Sequence, residues 1–203
     1  MEEDLYRDLP RFELSLVEEV PVNVAGAETM LIVESGYWFF DGWFGADGFQ
    51  HEAGLDYGLV KGNMLSWFTF EQTGSVLENM QSATGLGIGR NQDVCESCFF
   101  VTDGPAAAVK LYINGEVYEK ELSLPDTELE GIASAASGTL YVVDAKARRV
   151  FRLSADLSAI EAVAPLPGSV TGRVPTGLAF DDQGRLHVCF RDADRIAILA
   201  VVE

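Results

Sequence analysis

The 203-residue chain holds 14 Lys and Arg against 32 Asp and Glu, a formal net charge of −18, and 48% of it is hydrophobic. So apolar a chain can bury enough surface to fold, yet it contains no uninterrupted apolar run of about 18 residues that would span a bilayer. Phosphate binding uses Lys and Arg to displace counterions, so the charge disfavours nucleic acid and suits a protein partner with a basic surface, besides keeping the chain in solution.

The first residues, Met1-Glu2-Glu3-Asp4, are acidic where an export signal is basic and then apolar, and a cytoplasmic location is expected. Phe12-Glu13-Leu14-Ser15-Leu16 reads as a strand with no partner nearby in the sequence. A first unit follows, with Pro21-Val22-Asn23 as its innermost strand and Thr29-Met30-Leu31-Ile32-Val33-Glu34 leading to Phe40. In a second unit Gly58-Leu59-Val60 precedes Ser66-Trp67-Phe68-Thr69-Phe70-Glu71, which leads to Leu77. The third unit runs from Gly85-Leu86-Gly87 through Cys98-Phe99-Phe100-Val101-Thr102-Asp103 to Val109, and Asn114-Gly115 then marks a hairpin.

The last two units are the clearest. Gly131-Ile132-Ala133, Gly138-Thr139-Leu140-Tyr141-Val142-Val143-Asp144 and Arg149-Val150-Phe151 are answered 46 positions on by Gly177-Leu178-Ala179, Gly184-Arg185-Leu186-His187-Val188 and Arg195-Ile196-Ala197. The anchors Thr29, Ser66, Cys98, Thr139 and Arg185 are 37, 32, 41 and 46 residues apart, near the length of a four-stranded propeller blade. The expected fold is therefore an all-β, five-bladed β-propeller forming one domain over residues 1–203, with blades at about 20–54, 55–83, 84–128, 129–174 and 175–203 plus 10–17. The N-terminal segment would supply the outer strand of the last blade, because no residues remain for one after Ile196–Val202, and a closed ring leaves only short, protected edges.

The units resemble NHL repeats, through Gly131-Ile132-Ala133, Leu140-Tyr141-Val142-Val143-Asp144 and Arg148-Arg149-Val150, and again through Gly177, Leu186-His187-Val188 and Arg195-Ile196. The likeness covers about 85–203 by motif and 20–84 by spacing alone. It implies a propeller, and propellers of this kind serve as scaffolds, ligand binders, hydrolases and lyases. Five units are fewer than the six usual in the family, and Phe190 replaces the repeat acid in the fifth.

Four acids, Glu34, Glu71, Asp103 and Asp144, share one slot in their units. On one reading they form a carboxylate ring for calcium or another divalent cation, as in the gluconolactonase type, whose ligand set does not map onto this chain. The preferred reading is that each caps its own turn, with no cofactor. Cys95 and Cys98 offer two of the four ligands a structural zinc needs, and a hairpin disulfide or two thiols fit better. Gly85-Leu86-Gly87-Ile88-Gly89-Arg90 lacks the strand and helix that would aim it at a phosphate, and there is no Gly-x-Ser-x-Gly nucleophile motif.

Trp38, Trp43 and Phe44 lie in an aromatic cluster suited to anchoring an interface. With Arg148, Arg191 and Asp192 they make up the candidate partner-contact residues. The expected function is a non-catalytic propeller that binds another protein or serves as a scaffold, including as a subunit of a larger assembly. The alternative is a metal-dependent hydrolase or lactonase with an axial site.

Overall fold

The computed structural model describes residues 4–21, 29–33, 36–41, 53–58, 65–70, 83–88, 98–113, 117–170 and 172–202. In chain order the strands are β1 (Glu13–Pro21), β2 (Thr29–Val33), β3 (Gly36–Asp41), β4 (Ala53–Gly58), β5 (Leu65–Phe70), β6 (Ala83–Ile88), β7 (Cys98–Asp103) and β8 (Ala108–Ile113). They continue with β9 (Val117–Ser123), β10 (Leu129–Ser134), β11 (Leu140–Asp144), β12 (Arg149–Leu153), β13 (Ile160–Pro165), β14 (Pro175–Phe180), β15 (Leu186–Phe190) and β16 (Ala193–Val202). Among the described residues these make four antiparallel sheets of four strands, ordered β2-β3-β4-β5, β6-β7-β8-β9, β10-β11-β12-β13 and β1-β16-β15-β14.

The strands β2, β6, β10 and β14 lie innermost: β10 runs beside both β6 and β14, and β2 beside β14 and β6. That is why strands such as β11, Leu140-Tyr141-Val142-Val143-Asp144, are buried along their whole length. Leu140 and Val142, with Phe151 and Leu153, pack toward Phe100, Val109 and Leu111 of the preceding sheet. Tyr141 and Val143, with Val150, Ala162 and Ala164, pack toward Leu178, Leu186, Val188 and Leu199 of the following one. A strand sandwiched in this way reads as a continuous apolar run rather than an alternating one.

Innermost strands crowd, and glycine is what lets them. A Cβ on Gly131 would stand 2.6 Å from the Cα of Gly177 and 2.6 Å from the amide nitrogen of Leu178. One on Gly85 would stand 2.9 Å from the Cα of Gly131. The three glycines therefore touch in series across three sheets, backbone against backbone, where no side chain fits.

The N-terminal arm ties the later sheets together. The Tyr6 hydroxyl donates to the Pro125 carbonyl at 2.7 Å, and its ring meets Phe151 edge-on with centroids 4.7 Å apart. The Val163 amide donates to the Pro10 carbonyl at 3.0 Å, and Phe12 contacts Tyr141 edge-on at 5.8 Å. From there β1 pairs antiparallel with β16, from Glu13 opposite Val202 to Pro21 opposite Arg195, with a register shift between Leu16 and Glu18. That irregularity, the neighbouring acids and Pro21 all blunt β1 as a template for a further strand.

The first part of the chain is divided differently from the expectation. The boundary drawn between residues 54 and 55 falls inside β4, so the stretch read as two units gives one sheet. Thr29–Val33, expected as a second strand, is innermost, whereas Pro21 ends β1. Gly58, expected to open an innermost strand, ends β4 opposite Tyr37 and Leu65. The cause is that β2–β3 and β4–β5 are both aromatic hairpins, and each imitates the core of a whole repeat.

The contact between glycines yields a paired prediction. Gly131→Ala forces backbone apart at the centre of the fold and is expected to lower the unfolding free energy by about 3 kcal/mol, the upper end of overpacking costs. Gly168→Ala, where an added Cβ would meet nothing within 4 Å, is expected to change it by less than about 0.5 kcal/mol. Urea titration of both variants measures the difference.

Candidate functional site at the inner ends of the sheets

Three innermost strands break register at the same place: between Ala83 and Gly85, between Leu129 and Ile132, and between Pro175 and Gly177. Such bulges release a residue from the ladder and re-aim its side chain, often beside a functional site. The residues preceding the three glycines are Thr84, Glu130 and Thr176. Thr84 Oγ1 donates to the Leu129 carbonyl at 2.7 Å, Thr102 Oγ1 donates to the Glu130 carbonyl at 2.5 Å, and Thr176 Oγ1 lies 3.6 Å from Cys189 Sγ. Burial pushes the Cys189 thiol up to about 11, so it stays protonated and structural.

Glu130 carries a carboxylate where the aligned strands carry threonines. Its side chain is 8% exposed, and Arg191 Nη2 bonds its Oε1 at 3.0 Å from a side chain that is 47% exposed. The turn bearing Arg191 is held by backbone: the Arg191 amide donates to the Val174 carbonyl at 3.0 Å, and Asp192 Oδ1 accepts from the Val174 amide at 3.0 Å.

The loops around this end are fastened by charge. Asp144 Oδ1 accepts from the amides of Glu128, Lys146 and Ala147, and its Oδ2 accepts from Arg149 Nε at 2.9 Å. Arg149 also bonds Asp4 at 2.8 Å and lies over the rings of Tyr6 and Phe151 at 4.6 and 4.9 Å. Asp192 does for the loop before β14 what Asp144 does before β10, two residues beyond the slot where Phe190 has replaced the acid. Arg148 donates to the carbonyls of Val170 and Arg173, fixing the β13–β14 connection. Glu19 accepts from Arg173 at 2.5 Å and faces Arg195 at 3.5 Å, and Lys146 pairs with Asp126.

The expected site residues thus divide. Asp144 is a turn cap and ion-pair partner, and Asp103 bonds the buried Lys110 at 2.8 Å. Glu34, Glu71, Trp43, Phe44 and Cys95 lie outside the described residues, as does the side chain of Trp38, whose backbone is opposite Leu31 and Tyr57. Among the described residues no three His, Cys, Asp or Glu side chains gather as a metal site requires. Arg191 and Asp192 come together at the inner end, but their target, Glu130, was missed. The signal was available: Thr-Gly, Glu-Gly and Thr-Gly in three aligned repeats.

At the opposite end, the β14–β15 turn is organised by Asp181. Its Oδ2 meets Arg185 Nε at 2.6 Å and His187 Nε2 at 3.0 Å. Burial raises the Asp181 pKa, but the bonds from His187 and from the Arg185 amide and guanidinium outweigh it and hold the group below its ordinary value. Burial also lowers the His187 pKa, against the partial opposition of Asp181.

The four-stranded sheets, arranged innermost strand to innermost strand, make this chain a β-propeller. No family model matches it, and no curated protein is similar to it. Among solved structures it is similar to a glutaminyl cyclase from Myxococcus xanthus, at TM-score 0.63 and 12% identity over 96% of this chain and 99% of that one. It is also similar to a virginiamycin B lyase from Staphylococcus aureus, at TM-score 0.47 and 15% identity over 94% of this chain and 59% of that one. A gluconolactonase from Xanthomonas campestris matches at TM-score 0.46 and 16% identity, over 85% and 56% of the respective chains. At such identities the likeness is one of fold, and propellers of this architecture include enzymes.

His187 gives a pH prediction. Its folded pKa is below the unfolded 6.5, so the unfolded chain binds the proton more readily, and the contribution is whole above 6.5 and lost as pH falls below it. Urea unfolding at pH 8 and pH 5 is expected to show the wild type losing more stability than His187→Gln, which keeps a donor for Asp181 without titrating.

Proposed function

We propose that this chain is a non-catalytic binding propeller, built of NHL-like repeats, whose ring is formed by the succession of β2, β6, β10 and β14 and completed by β1. It recognises a protein with a basic surface. The observation that carries this reading is the charged face at the starts of the innermost strands. Asp144 and Asp192 cap its loops, Arg148 clamps a connection, and ion pairs link Asp4 to Arg149, Asp126 to Lys146 and Glu19 to Arg173. Loops fixed in advance lose little freedom on association, and exposed acids such as Asp126 and Glu128 steer a basic partner toward the surface. The aromatic residues Trp38, Trp43 and Phe44 are proposed as further contacts.

Capture from extracts of the source cells tests this. Wild type is expected to retain a partner that Asp126→Arg with Glu128→Arg loses, and that Trp43→Ala holds more weakly. Identical captured sets would reject the reading. The rival, a metal-dependent hydrolase, predicts that calcium, zinc or manganese raises the melting temperature by mass action. The binding reading expects no rise with any of them.

A further inference from the structure

The strand that completes the last sheet comes from the other end of the chain. β1 is outermost in the order β1-β16-β15-β14, so it can leave without separating any other pair of strands. Along it Leu14 alone is buried, and the other positions are half-buried or exposed. The arm before it is anchored on the neighbouring sheet and its approach. Tyr6 meets Phe151 and the Pro125 carbonyl, Pro10 accepts from the Val163 amide, and Phe12 meets Tyr141.

Charge matches this segment to the surface that receives it. Asp4 bonds Arg149 at 2.8 Å, and Glu19 meets Arg173 at 2.5 Å and Arg195 at 3.5 Å. The acids are on the segment and the guanidiniums on the receiving side. These anchoring groups stand on sheets made from the far end of the chain, and every copy of the chain carries the same set.

We propose that residues 4–21 are an exchangeable segment whose other acceptor is a second copy of this chain. Each copy lays its arm and β1 along β13 and β16 of the other, giving a reciprocal, concentration-dependent dimer. The ladder, the ring contacts and the ion pairs are preserved, because the same groups meet in the same order. Such exchange of an identical element is a low-cost route to a dimer. In it Asp4 and Glu19 of one chain fasten Arg149 and Arg173 of the other, so both chains complete each charged face. Stable complexes engage about 20–30 residues on each side. Residues 4–21 of both chains, together with the edges that receive them, exceed that. The proposal does not depend on which protein the charged face binds.

The test refolds the whole chain from urea at about 0.15 M salt, which screens the repulsion between two acidic chains beyond about 8 Å. Glu13 lies opposite Val202 in the ladder, at a spacing that a disulfide bridges. Glu13→Cys and Val202→Cys are placed on separate chains that also carry Cys95→Ser and Cys98→Ser, refolded together and oxidised. A disulfide linking the two chains is expected, well above the level found when they are refolded apart and mixed only before oxidation. Refolding at about 100 μM rather than about 1 μM is expected to raise the linked fraction at least about tenfold, because a copy competes with a tethered segment at about millimolar effective concentration. Both substitutions on one chain show that the pair closes. Should it not, Ser15→Cys with Ala200→Cys, opposite each other in the same ladder, takes its place. Linkage no greater than in chains mixed after refolding overturns the inference. So does a wild type that light scattering finds as monomer alone after refolding at the higher concentration. Either failure leaves the capture result untouched.

Discussion

At the inner end of the sheets, backbone lies against backbone. Gly85, Gly131 and Gly177 stand so close that a methyl group on the middle one would fall within 2.6 Å of its neighbour's main chain. The strands beside them can then converge, and the strands of the β10–β13 sheet run outward between two neighbouring sheets. That convergence explains why β11 is apolar on both faces and why the core forms as two layers, one on each side of the β10–β13 sheet. It also explains the bulges. A ladder that must bring a glycine to the point of closest approach gives up one pairing just before it, and the residue displaced there is available for other work.

The charged groups follow the same geometry. Connections into β10 and β14 must turn sharply, and their amides are satisfied by Asp144 and Asp192. Arg148, with a φ of 54°, closes the longer β13–β14 connection from its side chain. The N-terminal arm adds an aromatic and ionic layer over the same end through Tyr6, Arg149 and Asp4. Rigidity at this face is thus assembled from side chains that serve the loops first.

The stretch from Gly85 onward was legible because each repeat has a glycine at the crowded position and two of the three follow it with an apolar strand ending in an acid, Asp103 and Asp144. The earlier stretch misled because Tyr37-Trp38-Phe39-Phe40 and Ser66-Trp67-Phe68-Thr69-Phe70 are as strand-like as any repeat core. Aromatic composition indicates a strand without saying which strand of a sheet it is. Of the acids, Asp144 was readable as a cap from the turn beside it. The partnership of Asp103 with Lys110 depends on which face of β8 is covered, a fact of sheet stacking rather than of spacing. Glu130 was passed over because its meaning lies in a contrast with Thr84 and Thr176, not in any motif of its own.

The pairing of β1 with β16 joins residues 13–21 to residues 195–202, so the largest separation in the sequence is built into a single ladder. Loop closure over that distance comes before any reward from the contact. During synthesis β1 emerges before β16 and must wait for it, with Leu14 uncovered while the intervening sheets assemble. The acidic residues around it, Glu13, Glu18 and Glu19, then have a second use: they keep a waiting strand from pairing with the wrong neighbour.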